Sequence, residues 1–83
     1  MTNLPKNFLK EYKINHRIDE KGDFYEFEEI FVNQDSIERI ERDHELRQIF
    51  DKSPEKFPKG LTKNLEFARL HLMSGKEITV VNL

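Results

Sequence analysis

An alternation of apolar and polar residues near the start of the chain constrains the fold more than any other feature. Tyr12, Ile14, His16 and Ile18 alternate with charged or amide side chains. A period of two is typical of a strand with one buried face. The segment DEKGD follows, and its Gly22 can adopt the positive φ that a tight turn requires. The pattern therefore predicts a β-hairpin.

The returning strand, FYEFEEIFV, has an irregular pattern. Tyr25 and Phe27 share one face of a regular strand, whereas Ile30 and Val32 share the opposite face. One extra residue near Glu28–Glu29 would bring all four side chains to the same side. We therefore expect a β-bulge at that point.

Two helices are predicted after the hairpin. The first covers NQDSIERIERDHELRQIF, where Asp35 can cap the N-terminus and Glu38 completes a capping-box pattern. A loop with two prolines follows. The second covers LTKNLEFARLHLM, starting at Leu61 or Thr62, with Gly75 as the residue that ends it.

The last segment, KEITVVNL, is β-rich and apolar on both faces, which favours a buried strand over an edge strand. The expected fold class is α+β with the order β-β-α-α-β: a three-stranded sheet, made of the N-terminal hairpin and the C-terminal strand, packed against two helices. Residues 1–83 form one small domain, and residues 1–7 are expected to be a flexible lead-in. The pattern leaves the strand order open.

Both predicted helices are apolar on two sides. One stripe of each can cover the sheet, and the second stripes define a predicted protein interface made of Leu46, Ile49, Phe50, Phe67, Leu70 and Met73. An exposed apolar patch of that size would be unusual in a monomer, and symmetric homodimers are the commonest soluble oligomers, so a homodimer is expected. The alternative is internal: the helices pack on each other, the N-terminal segment with Leu4, Phe8 and Leu9 folds over them, and the first helix breaks near Asp43.

Composition narrows the class of protein. Hydrophobic and charged residues each make up 36% of the chain, and seven Phe and two Tyr concentrate the apolar content in rings large enough for a compact core. Cysteine is absent, so disulfides and thiol chemistry are excluded. We find no signal-peptide pattern and no apolar run near the ~20 residues of a membrane span. The expected location is cytoplasmic.

Charge is segregated along the chain. Residues 19–29 carry a net −5, and Glu26, Glu28 and Glu29 are predicted to form an acidic patch that docks on a basic partner. The alternative is a solvated face that keeps an edge strand soluble. Four lysines, Lys52, Lys56, Lys59 and Lys63, surround the proline loop and could contact phosphates.

No motif specifies a chemistry. His16, His44 and His71 lie in three different predicted elements, without the spacing of a metal site. The serines have ordinary structural positions, and the three glycines are isolated, so neither a nucleophile beside a base nor a phosphate-binding loop is visible. We expect no enzymatic activity, no cofactor and no metal.

The sequence therefore favours a small non-enzymatic interaction module: a regulator, inhibitor or adaptor that binds another protein through an apolar helix face and the acidic hairpin. By analogy alone, such chains are typical of phages and mobile elements. The alternative is a dimeric nucleic-acid-binding regulator that uses the lysine-rich loop, although the net charge of −2 weakens this interpretation.

Overall fold

The structure, a computed structural model, describes residues 7–61 and 64–82. An antiparallel five-stranded sheet has the order β2-β1-β5-β4-β3. The strands are β1 (Phe8–Asp19), β2 (Gly22–Asn33), β3 (Ile37–Arg42), β4 (Glu66–Leu72) and β5 (Glu77–Asn82); the helix α1 is His44–Lys52, and short 3-10 turns lie at Gln34–Ser36 and Pro54–Lys56. The α+β class is confirmed, but the described residues form a five-stranded sheet and one α-helix, not three strands and two helices. Within the described ranges, no helix is long and apolar enough to cross a membrane.

The predicted hairpin is confirmed, but the prediction of a β-bulge near Glu28–Glu29 is wrong. β1 and β2 pair without interruption from Phe8 opposite Asn33 to Asp19 opposite Gly22. The switch in the apolar pattern has another cause: Tyr25 and Phe27 pack in one core, and the second half of β2 contributes to a different core on the other face of the sheet.

The first predicted helix is wrong over its first half. Ile37–Arg42 forms the edge strand β3, which pairs with β4. Asp35 lies in the 3-10 turn and caps no α-helix. The helix begins only at His44, where the side chain of Asp43 accepts a hydrogen bond from the Leu46 N–H at 3.0 Å. The break expected near Asp43 in the alternative interpretation is therefore the true helix start.

The second predicted helix is wrong throughout its described part, and the candidate start at Thr62 lies outside the described residues. Glu66–Leu72 is the strand β4, paired on both sides. Gly75, with a φ of 90°, lies in the turn between β4 and β5 and ends no helix. The apolar residues on two sides mark a strand that is buried on both faces, a pattern that short segments share with buried helices.

The last strand is central, as its composition predicted. β5 pairs with β4 along its whole length and with β1 at Tyr12 and Lys13. Val80 and Val81 point to opposite faces and are both buried. Within the predicted lead-in, residues 1–6 lie outside the described part, and the Asn7 carbonyl accepts a hydrogen bond from the Gln34 N–H at 2.7 Å.

The sheet is strongly curled. Only the three residues Gln34–Ser36 join β2 at one edge to β3 at the other. Four Cα steps span at most about 14 Å, whereas four strand spacings in a flat sheet need about 19 Å. The two edges must therefore approach each other where this link crosses, which makes one face concave.

Two hydrophobic cores result. On the concave face, Val32, Leu70 and Val80 are buried among residues that all come from strands. On the opposite face, here called the helix face, Phe50 of α1 packs against Phe67 and other residues of the sheet. Among the residues that the structure describes, the buried members of this second core are Phe50, Phe57, Leu65, Phe67 and Val81.

Candidate protein-binding surface

The six residues predicted to form an apolar interface do not lie together on the surface. Phe67 and Leu70 are 2% and 3% exposed, on opposite faces of β4, and Phe50 is also buried. Leu46 and Ile49 are half-buried against the same core as Phe50. Met73, in the β4–β5 turn, is 69% exposed. The helical stripe that grouped Phe67, Leu70 and Met73 does not exist because the segment is a strand.

The three acidic docking residues all lie on β2, but on two faces. Glu26 and Glu28 share the side of Ile30 and Val32, and Glu29 lies on the other side. All three are exposed. β1 supplies a partner to each: Arg17 contacts Glu26 at 3.1 Å, Asn15 donates to Glu28 at 2.9 Å, and Lys10 lies 3.3 Å from Glu29.

The strand that carries these acids is a sheet edge along its length. The Gln34 N–H donates to the Asn7 carbonyl, so even-numbered residues of β2 direct their backbone groups inward to β1. The N–H and C=O groups of Phe27, Glu29 and Phe31 therefore point outward. No strand of the described ranges pairs with this side of β2. Such a row of backbone groups can pair with another chain.

Phe31 is the apolar feature of this edge. Phe31 is 47% exposed and is the cross-strand partner of Lys10 on β1. The Lys10 ammonium lies 3.3 Å from Glu29 and 5.5 Å from the centre of the Tyr12 ring, and a hydrogen bond with Tyr12, followed by Glu29, raises the pKa of Lys10. Phe31 is not among the sites predicted from sequence. The available signal is its place between Ile30 and Val32, since strand neighbours point to opposite faces.

β2 is protected as an edge strand by acidic side chains alone. Proteins blunt edges with charged side chains, especially lysine, and with proline, bulges or short strands. β2 is 12 residues long, contains no Lys or Pro, and pairs with β1 without a register shift. Its charged residues are all acidic: Asp23, Glu26, Glu28 and Glu29. We name this surface, from Glu26 to Phe31 along the outer side of β2, the acidic edge.

The hairpin is tied to the proline loop at its other end. Lys56 contacts Asp23 at 2.8 Å, and His16 contacts the same carboxylate at 2.9 Å. The hydrogen bond from Lys56, and then the one from His16, lowers the pKa of Asp23 to about 2. The Tyr25 ring stacks between the rings of His16 and Phe57. These contacts hold the start of β2 against the body of the domain.

The three histidines lie apart in distinct environments. His16 is on the hairpin, His44 starts α1, and His71 lies on β4 between Glu41 and Glu77. His71 meets Glu41 through Nε2 at 3.2 Å and Glu77 through Nδ1 at 3.1 Å, so the two carboxylates lie on opposite sides of the ring. Within residues 7–61 and 64–82, no three His, Asp or Glu side chains are placed to hold a metal ion.

A cleft of about 470 Å³ lies where β3 passes into α1. Its buried polar group is Asp43, which is 6% exposed. One carboxylate oxygen of Asp43 caps α1 through the Leu46 N–H, and the other accepts a hydrogen bond from Arg69 at 3.2 Å. Asp43 also raises the pKa of Arg69, first through this hydrogen bond. Both oxygens of the carboxylate therefore have structural partners.

The described lysines of the proline loop have different environments. Lys56 is engaged with Asp23, whereas Lys52 and Lys59 are exposed. Lys63 lies outside the described residues. The hypothesis of nucleic-acid binding thus depends on dispersed charges and stays a prediction.

Comparisons with known proteins identify no relative of this chain. No family model, curated protein or solved structure matches the chain.

Proposed function

We propose that this protein is a non-enzymatic interaction module that binds a basic segment of another protein along the acidic edge. The observation that carries the proposal is a 12-residue edge strand whose charged side chains are all acidic and whose outer backbone groups are unpaired within the described fold. A regulator, inhibitor or adaptor acts in this way, by occupying a surface of its partner.

Backbone pairing would supply part of the affinity. An extended segment that adds to a sheet edge forms main-chain hydrogen bonds, and its alternate side chains meet those of the edge strand. The outward groups of Phe27, Glu29 and Phe31 give such a segment a continuous row of donors and acceptors.

Charge would select the partner. A basic strand beside β2 would place its cations near Glu26 and Glu28 on one face and Glu29 on the other. Opposite charges across two strands stabilise the pair, whereas like charges destabilise it. The same rule disfavours pairing of β2 with a second β2, because that arrangement offers no cation from either strand.

Phe31 would supply the apolar anchor. Binding energy at protein interfaces concentrates in a few residues, and aromatic side chains are enriched at interfaces. Phe31 lies on the same face of β2 as Glu29, beside the Lys10–Glu29 pair. A partner that covers this ring would remove an exposed apolar surface from water.

The test is site-specific crosslinking in the native cell. A photoreactive phenylalanine analogue replaces Phe31, and in the control chain it replaces Gln48, which is exposed on α1. We expect a partner with a basic segment to crosslink at position 31 and not at position 48. Crosslinks that form only at position 48 would contradict the proposal.

Charge-reversal variants then test whether the acidic side chains of β2 select a basic partner. The double variant Glu26→Lys/Glu28→Lys should weaken binding of the captured partner by at least about tenfold, since each complementary pair becomes repulsive. Glu45→Lys/Glu55→Lys makes the same change in net charge at exposed positions outside the hairpin. Calorimetric titration measures both, and equal loss in the two variants would show that net charge, not the acidic edge, governs binding.

A further inference from the structure

The opposite edge of the sheet, β3, has a different character. The Asp43 N–H donates to the Phe67 carbonyl at 2.8 Å, in continuation of the β3–β4 register. Odd-numbered residues of β3 therefore direct their backbone groups inward, and Ile40 and Arg42 direct theirs outward. Ile40 is 65% exposed. No strand of the described ranges pairs with this outer side.

The charge sequence of β3 is complementary to itself in antiparallel register. Residues 38–42 are Glu-Arg-Ile-Glu-Arg. When Ile40 of one chain faces Ile40 of a second copy, Glu38 faces Arg42 and Arg39 faces Glu41. All five positions then pair favourably, with opposite charges around a central apolar pair.

We propose that the protein forms a two-fold symmetric dimer by antiparallel pairing of β3 with β3 of a second copy, with the axis at Ile40. The inference does not rest on the proposed function, because it uses the other edge of the sheet. A two-fold interface uses the same patch on both copies and closes on itself, so assembly stops at two chains.

Backbone geometry supports this register. Because the Ile40 backbone points outward, Ile40 and its symmetry mate can exchange both N–H···O=C hydrogen bonds at the axis. The regular β3–β4 ladder covers Arg39–Arg42, because the register shift between Ile37 and Arg39 falls at Glu38 and α1 starts after Asp43. In the proposed dimer, Glu38 at the irregular end of β3 faces Arg42 of the second copy, so the pairing reaches five residues per chain.

The side chains already lie on the correct faces. Ile40 and Arg42 share the concave face with Leu70, and Arg39 and Glu41 share the helix face with His71. Glu41 is held beside His71 and Arg69, and Arg42 lies 3.7 Å from Glu66 while remaining 74% exposed in its side chain. A hydrogen bond with His71 lowers the pKa of Glu41, so this carboxylate is ionised at neutral pH.

A second copy fits this edge better than a foreign chain does. Every charge that β3 displays from residue 38 to residue 42 finds its opposite in the same five residues. The acidic edge offers no such match, since β2 has acids alone. An interface of this length lies below the size of stable complexes, so we expect a concentration-dependent dimer with a dissociation constant of roughly micromolar or weaker.

Complementary charge variants test the proposal. Glu38→Arg leaves residues 38 and 42 both basic, and Arg42→Glu leaves both acidic, so each variant alone repels its own copy across the axis. An equimolar mixture restores two opposite-charge pairs. Sedimentation velocity should show each variant alone dimerising at least about tenfold more weakly than the wild type, and the mixture recovering the dimer.

Each outcome bears on the proposal. Recovery in the mixture supports the Ile40-centred register, because a variant that merely misfolds gains nothing from mixing. A wild type that stays monomeric up to millimolar concentration overturns the proposal, and so does a dimer that both variants form as well as the wild type does. An independent readout is hydrogen exchange of the Ile40 and Arg42 amides, which should slow as protein concentration rises and stay fast in a monomer.

Discussion

At the scale of residues, the stabilising contacts and the exposed apolar groups of the two proposed interfaces are separate sets. Asp43 and Asp23 each connect elements that are distant in sequence: Asp43 joins α1 to β4, and Asp23 joins the hairpin to the proline loop. Phe31 and Ile40, in contrast, are exposed apolar residues on the two edges of the sheet. Substitutions in the first set should affect folding, and substitutions in the second should affect association.

Asp43→Ala should destabilise the fold. The substitution removes the cap of α1, an effect of about 0.5–2 kcal/mol, and it also leaves Arg69 without its shortest contact to a carboxylate. Urea unfolding measures the change in the free energy of unfolding. Glu45→Ala, in the first turn of the same helix at an exposed position, is the control. Equal effects of the two substitutions would show that the cap is unimportant.

The Asp23–Lys56 contact predicts a specific pH dependence. The folded pKa of Asp23, about 2, lies below its ordinary value of 3.8, so its contribution to stability is present above about pH 4 and is lost as the pH falls towards 2. Carboxyl NMR titration should show the pKa of Asp23 rising towards 3.8 in Lys56→Met. A value unchanged by that substitution would contradict the dominant role of Lys56.

At the scale of elements, the sequence correctly predicts the strands whose pattern depends only on residues that are close in sequence. The β1–β2 hairpin has alternation and a turn glycine, and β5 has a continuous β-branched run; both are confirmed. The apolar residues of β3 and β4 recur at intervals of three and four, a spacing that predicts helices. β4 contributes to both cores and is apolar on both faces, whereas in β3 the register shift between Ile37 and Arg39 brings Ile37 and Ile40 to one face. Neither spacing can be told from that of a helix without the partner strands.

Phe67 tests the revised assignment of β4. Phe67→Ala should cost about 3–5 kcal/mol, since the ring is buried against Phe50 and Phe57. That is a large fraction of the stability of a domain of this size. Met73→Ala, in the exposed turn, should change the free energy of unfolding by less than about 0.5 kcal/mol. A small loss in the free energy of unfolding for Phe67→Ala would contradict the buried position of Phe67 and would favour its assignment to the apolar interface predicted from sequence.

At the scale of the whole molecule, the two edges of the curled sheet carry different charge patterns. β2 has acids alone and is proposed to bind a basic chain, whereas β3 has alternating signs and is proposed to pair with a second copy. The proposed dimer uses no residue of the acidic edge, so the two proposals are tested separately. The candidate site was only half predictable: the acids of the hairpin were selected from sequence, but their edge position depends on the strand order, which no local pattern encodes.

The most direct test of the account is residue-resolved amide hydrogen exchange on the protein bound to the partner captured by crosslinking. We predict that exchange at the outward amides of Phe27, Glu29 and Phe31 slows on binding, while the exposed face of α1 is unchanged. Slower exchange confined to α1 or to the proline loop, with the β2 amides unaffected, would contradict the claim that the acidic edge is the binding surface.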